Sequence, residues 1–198
     1  MIVSASYRTD IPAFYGTWFR NRLADGVCRV VNPYGGQDYR VPLNREAVEG
    51  FVFWTRNIAP FGAALAEVAA RGFPFIVQYT VTGFPRELET SVTPAERSIA
   101  LLRDLARRYG PRVAVWRYDP VLITSVTPAG WHRRAFARLA AALESVVDEV
   151  VLSFAQIYAK TRANTARAGR RHGFTWRDPP DEEKRALLSD LAEIAGDF

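Results

Sequence analysis

Residues 2–10 read Ile2-Val3-Ser4-Ala5-Ser6-Tyr7-Arg8-Thr9-Asp10. A short apolar run opens the stretch and polar residues close it, with no glycine in the turn. A dinucleotide-binding α/β fold needs glycines after its first strand, so that the backbone can approach a pyrophosphate. Ser6-Tyr7-Arg8-Thr9-Asp10 occupies that place instead. The reading is therefore a first strand with its polar groups at the carboxyl end, the arrangement of a (β/α) barrel with its site on that face.

Further along, short runs rich in Val, Ile, Phe and Trp recur: 28–32, 51–55, 75–80, 112–117 and 149–154. Several are apolar almost throughout, the habit of strands buried on both faces of a parallel sheet. Helical spacing fills the gaps over 14–23, 61–70, 94–109, 127–146 and 181–195. Thr93-Pro94-Ala95-Glu96 reads as a capping box, and Gly110-Pro111 stops the helix that follows. Thr127-Pro128 opens the next helix, with Trp131, Ala135, Leu139, Leu143 and Val146 inward. Gly35-Gly36 suits a hairpin bend, which would let Gln37–Leu43 pair back on the second strand. Strand and helix thus alternate about six times, predicting an α/β fold with a parallel, barrel-like sheet. A closed (β/α) barrel takes eight units and typically ~250 residues. With 198 residues, this chain is read as a single domain over 1–198 with the form of an open or incomplete TIM-type barrel. An open sheet or a fragment of a longer protein would each explain the count.

Composition narrows the function classes. A 48% apolar and 24% charged chain is ordinary globular material, and no apolar run approaches a membrane span. The beginning MIVSASYRTD lacks the pattern of a secretory signal, so the expected setting is the cytoplasm, without membrane partners. The net charge of +5 comes almost wholly from arginine, since Lys160 and Lys184 are the only lysines. Arginine forks suit anionic ligands as well as surface ion pairs. Cys28 stands alone, which excludes an internal disulfide or a cysteine-built metal site in this chain. The two histidines, His132 on a predicted exterior helix and His172 in a predicted loop, make no histidine-rich metal site.

The strand ends bring forward Asp10, Asp119 and Lys160 as candidate catalytic residues. Arg8, Asn32, Trp54, Thr55, Asn57, Gln78, Arg117 and Ser153 are candidate substrate-binding residues. Asp10, ahead of Ile11-Pro12, is either a helix cap or a proton acceptor or metal ligand beside Arg8. Arg117 and Asp119 are two apart on a strand and so share a face, as an internal ion pair or as a site at the rim. Trp54 offers a stacking surface, or is a core residue before a turn at Asn57. Lys160 is a Schiff-base or proton-transfer group if desolvated, and otherwise a solvated loop lysine. Arg162, Arg167, Arg170, Arg171 and His172 form a basic run that suits either phosphate or plain solvent.

Five motifs together resemble the DUF1848 family. They are Ile2 through Tyr15, Val31-Asn32-Pro33-Tyr34, Val52-Phe53-Trp54-Thr55-Arg56-Asn57, Trp116-Arg117-Tyr118-Asp119-Pro120, and Ser153-Phe154 with Tyr158, Lys160, Thr161 and Asn164. The resemblance runs from residue 2 to about 164 and implies a barrel-like α/β protein. It also implies that longer members carry a cysteine-rich C-terminal segment similar to that of radical S-adenosylmethionine enzymes, hence a 4Fe-4S cluster and that cofactor. A lone Cys28 gives such a cluster no ligand set, so the cofactor carries over to no residue here.

The leading expectation is an enzyme domain with a small or anionic substrate at the strand carboxyl ends, radical-type in its complete form. A divalent-metal-dependent hydrolase or isomerase using Asp10 and Asp119 is the first alternative. A non-catalytic phosphate-ligand or nucleic-acid module built on the arginines is the second. Nothing in the sequence decides the oligomeric state.

Overall fold

The computed structural model describes residues 1–5, 9–32 and 34–196. Its elements run β1 (Ile2–Ala5), α1 (Ile11–Phe14), α2 (Gly16–Asp25), β2 (Val27–Val31), β3 (Asp38–Pro42), β4 (Gly50–Thr55), α3 (Gly62–Ala70) and β5 (Phe75–Thr80). There follow α4 (Ala95–Tyr109), β6 (Ala114–Val121), α5 (Ala129–Leu143), β7 (Val150–Phe154), α6 (Ala159–His172) and α7 (Asp181–Gly196). Five strands form a parallel sheet in the order β1-β4-β5-β6-β7, and β2 and β3 form a separate antiparallel pair. Strand order follows chain order with no reversal, so the sheet lacks the switch point of a doubly wound fold. It winds in one direction, as a barrel does, but among the described residues β1 and β7 are its edges and no closed barrel forms.

The six-unit expectation is corrected at its second strand. Val27–Val31 pairs with Asp38–Pro42, Val27 opposite Pro42 and Val31 opposite Asp38, and contributes nothing to the parallel sheet. The reason is local: Asn32 N donates to Gln37 O at 2.8 Å and Gly36 N to Asn32 O at 2.9 Å, closing a hairpin. A hairpin needs only a short loop, whereas joining a parallel sheet requires a crossover.

The chain divides into two compact units, residues 1–79 and 80–198. In the first, β4 alternates buried Phe51, Phe53 and Thr55 with half-buried Val52 and Trp54, one face covered and the other open. Phe51 and Phe53 stack at 5.7 Å, and Phe19 of α2 meets both edge-on. Phe61, Leu65 and Val68 complete this core beside α3.

The second unit repeats the plan. Trp116 and Tyr118 of β6 are buried; Phe136 of α5 stacks on the first at 4.8 Å and meets the second edge-on at 5.1 Å. Leu102, Leu105, Leu139, Leu143, Leu187 and Leu191 surround them from α4, α5 and α7. Arg117 and Asp119 alternate with these residues and lie half-buried on the opposite face.

Three further local expectations need correction. The Thr93–Glu96 capping box does not form, because α4 starts at Ala95 with Pro94 as its cap residue and no side-chain cap bond. His132 is fully buried rather than exterior, since the inward stripe of α5 is His132, Ala135, Phe136, Leu139, Ala140 and Leu143. The Lys160–His172 segment is helix α6 rather than loop. Its alanines supply propensity but little apolar periodicity. The helix ends where Gly173 takes a left-handed conformation at φ 74°.

Candidate functional site

Two clusters of candidates take shape, one in each unit. In the first, Asp10 caps α1: its Oδ1 accepts from Ala13 N at 2.9 Å, while Oδ2 accepts from Arg56 N at 2.9 Å. Both carboxylate oxygens are thus engaged by backbone N–H groups, joining the start of α1 to the end of β4. Thr55 and Asn57 shape the turn that follows. Thr55 Oγ1 accepts from Asn57 N at 2.9 Å, and Asn57 Oδ1 from Ala59 N at 3.2 Å. On the open face of the same unit, Trp54 lies opposite Gln78 across the β4–β5 ladder and donates from Nε1 to Ser4 Oγ at 3.0 Å. Asn32 sits in the β2–β3 turn, its Oδ1 accepting from Tyr34 N at 3.0 Å, away from any strand end of the parallel sheet. Arg8 lies outside the described residues.

The second cluster is more compact. Arg117 and Asp119 project from one face of β6, as their two-residue spacing requires. The Arg117 guanidinium pairs with Asp119 Oδ2, and the Ser153 hydroxyl of β7 donates to Asp119 Oδ1. Register explains the meeting: Arg117 aligns with Val151 and Tyr118 with Leu152, so the next step brings Asp119 beside Ser153. The ladder turns irregular just beyond, where the Asp119-Pro120 peptide is cis. Arg117 is 15% and Asp119 26% exposed, so the pair stays within reach of a ligand. Lys160, in the first turn of α6, is exposed and stands apart from this chain of contacts.

Behind β6 lies a buried polar pair that the sequence did not announce. His132 Nε2 is 3.1 Å from Leu122 O, and Nδ1 is 2.8 Å from Tyr118 Oη. A carbonyl only accepts, so the imidazole carries its proton on Nε2 and Tyr118 donates to Nδ1. Burial pushes the His132 pKa down to about 4 and raises that of Tyr118. Its signal was present in the 132–136–139–143 spacing along α5.

A cavity of about 190 Å³ opens at the start of α4, lined by Thr82, Arg86, Glu89, Ser98 and Arg138 among others. None of these belonged to a motif that the sequence singled out: Thr82, Arg86 and Glu89 lie between the 75–80 strand and the next helix, and Ser98 and Arg138 lie within stretches read only as helix.

The cluster implied for longer relatives does not fit this chain. Cys28 lies in the hairpin, Sγ 3.7 Å from Arg29 O, with its thiol pKa raised by burial against the lowering pull of Arg22. One thiol cannot supply the several thiolates of an iron–sulfur cluster. Among the described residues no group of three or more His, Cys, Asp or Glu is disposed to hold a metal ion. No helix among them is long and apolar enough to cross a membrane. The α6 arginines are exposed apart from local contacts, Arg162 lying over the Trp176 ring at 5.8 Å and Arg167 donating to Asn164.

Comparison with protein-family models gives a match, described as Domain of unknown function (DUF1848), over residues 2–198. Curated proteins and solved structures give no match.

Proposed function

The chain belongs to the DUF1848 family, whose description assigns no reaction, and from that premise we propose a function based on the site itself. The domain is an enzyme that binds a small polar substrate over the half-exposed face of the β6–β7 ladder, at its carboxyl end. The observation that carries this reading is the continuous Arg117–Asp119–Ser153 chain, drawn from two strands and not sealed from solvent. A purely structural role would favour apolar residues here, since partly exposed ion pairs contribute little to stability.

Each residue then has a role. Arg117 holds the Asp119 carboxylate in place and presents positive charge to an anionic substrate group. Asp119 orients the Ser153 hydroxyl and is the proton acceptor. With its proton aimed at Asp119, the Ser153 oxygen turns its lone pairs toward the substrate. Asp10 takes no part in this proposal, because its oxygens serve the cap of α1 and the end of β4.

Saturation-transfer NMR against hydroxy acids, amino acids, sugars and phosphate esters tests the proposal on the full chain. Compounds that bind are expected to lose affinity tenfold or more in Asp119→Asn and Ser153→Ala, with circular dichroism unchanged. Undiminished binding of every such compound to both folded variants would refute the assignment.

A further inference from the structure

We propose that the outward face of α6 binds single-stranded nucleic acid along its phosphodiester backbone. The inference is independent of the Asp119 cluster and does not rest on that reading.

The exposed residues of α6 are Lys160, Arg162, Arg167, Arg170 and Arg171, together with Ala159, Ala163 and Asn164. Thr161, Thr165, Ala168, Gly169 and His172 recur on the covered side. At 3.6 residues per turn, Lys160, Arg167 and Arg171 fall into one stripe about 16 Å long, with Arg170 beside it. No carboxylate answers this charge. Elsewhere in the same unit Arg107 and Arg108 pair with Asp104, Arg133 with Asp190, and Arg177 with Glu183. Among the described residues none of the α6 cations has an ion pair; Arg162 lies over the Trp176 ring and Arg167 donates to Asn164.

Helix stability does not account for the pattern. Arg170 and Arg171 suit the C-terminal end of the helix dipole, but Lys160 and Arg162 stand at the N-terminal end, where the dipole disfavours cations. Arg167 and Arg171 are four apart, and like charges at that spacing destabilise a helix. A polyanion laid along the stripe relieves both effects and releases its own counterions. The face carries no apolar residue larger than alanine, whereas helices that lie in a lipid interface insert Trp, Phe or Leu. Tyr158, the cap residue of α6, is 65% exposed and sets an aromatic ring at the Lys160 end. An unpaired base can stack on such a ring, which favours a single strand over a duplex.

The test is fluorescence anisotropy of the full chain with a labelled RNA oligonucleotide of mixed sequence, its DNA counterpart and the corresponding DNA duplex. With Lys160, Arg167, Arg170 and Arg171 each meeting a phosphate, single-strand affinity should fall about 50-fold between 50 and 200 mM salt. The double variant Arg167→Gln/Arg171→Gln should bind at least tenfold more weakly at the lower salt, with a salt effect of only about sevenfold. Arg107→Gln/Arg108→Gln removes the same charge from α4 and should bind as the wild type does. Tyr158→Ala should weaken single-strand binding about fivefold or more. Circular dichroism checks that each variant is folded. Absent binding at the lower salt, equal weakening in the α4 variant, or a duplex bound as tightly as the single strands would each overturn the proposal. Recruitment to phosphatidylserine vesicles with no nucleic acid bound would overturn it too, assigning the face to a membrane surface.

Discussion

Acidification provides a direct measure of the buried His132–Tyr118 pair. In the folded protein His132 keeps its neutral form down to a pKa of about 4, against an ordinary histidine value of 6.5. The unfolded chain takes up a proton as pH falls through 6.5, and the native chain does so only near 4. Between those values the unfolded state binds more protons, so stability falls with pH at up to about 1.4 kcal/mol per unit. Going from pH 7.5 to 4.5, the loss owed to His132 alone is about 2.5 kcal/mol. His132→Gln is the matched control: glutamine can accept from Tyr118 and donate to Leu122 O, as the Nε2-protonated imidazole does, but it does not titrate. Urea unfolding of both proteins at the two pH values isolates the effect, because every other titrating group is common to both. The wild-type chain should lose about 2–3 kcal/mol more than His132→Gln on acidification. Equal losses, within the roughly 10–15% uncertainty of extrapolated stabilities, would show that burial does not hold this histidine neutral.

Four other outcomes follow from particular contacts. Gly169→Ala should destabilise the fold by about 1–3 kcal/mol in thermal or urea unfolding, since a Cβ there would lie 2.6 Å from Phe174 O. Gly62→Ala, with nothing within 4 Å of the new methyl group, should be neutral or stabilising by up to about 1 kcal/mol. Asp10→Ala removes the acceptor of two backbone N–H groups and should cost about 2 kcal/mol by chemical denaturation, with Asp10→Asn recovering only part; a loss below about 0.5 kcal/mol would reject the cap assignment. Phe53→Ala empties a site packed by Phe19, Phe51 and Phe61, and a loss of about 3–5 kcal/mol is expected in the same assay.

Much of the architecture was legible in local pattern. The apolar run 51–55 and the Trp116–Tyr118 alternation identify strands because side chains on a strand alternate faces. Arg117 and Asp119 could be assigned to one face by the same rule, and Asp10 before Ile11-Pro12 carried the mark of a helix cap that the structure bears out. Other features were hidden because their cause lies in distant partners. Nothing within Thr93–Glu96 reveals that Pro94 rather than Thr93 caps α4. The cavity residues Thr82, Ser98 and Arg138 come from three stretches that no local pattern links. The burial of His132 depends on which side of α5 meets Tyr118 and Leu122.

By itself, then, the sequence determined the alternation of strands and helices, the parallel character of the sheet, and the pairing of Arg117 with Asp119 on one face. Those properties follow from side-chain period and chain order, which are local. Only the tertiary structure decided that Val27–Val31 leaves the sheet for a hairpin, that the sheet stays open, and that Ser153 rather than Lys160 joins Asp119. Strand pairing and register are set by competition among partners far apart in the chain. A stretch with the same apolar pattern can satisfy its backbone hydrogen bonds in more than one way.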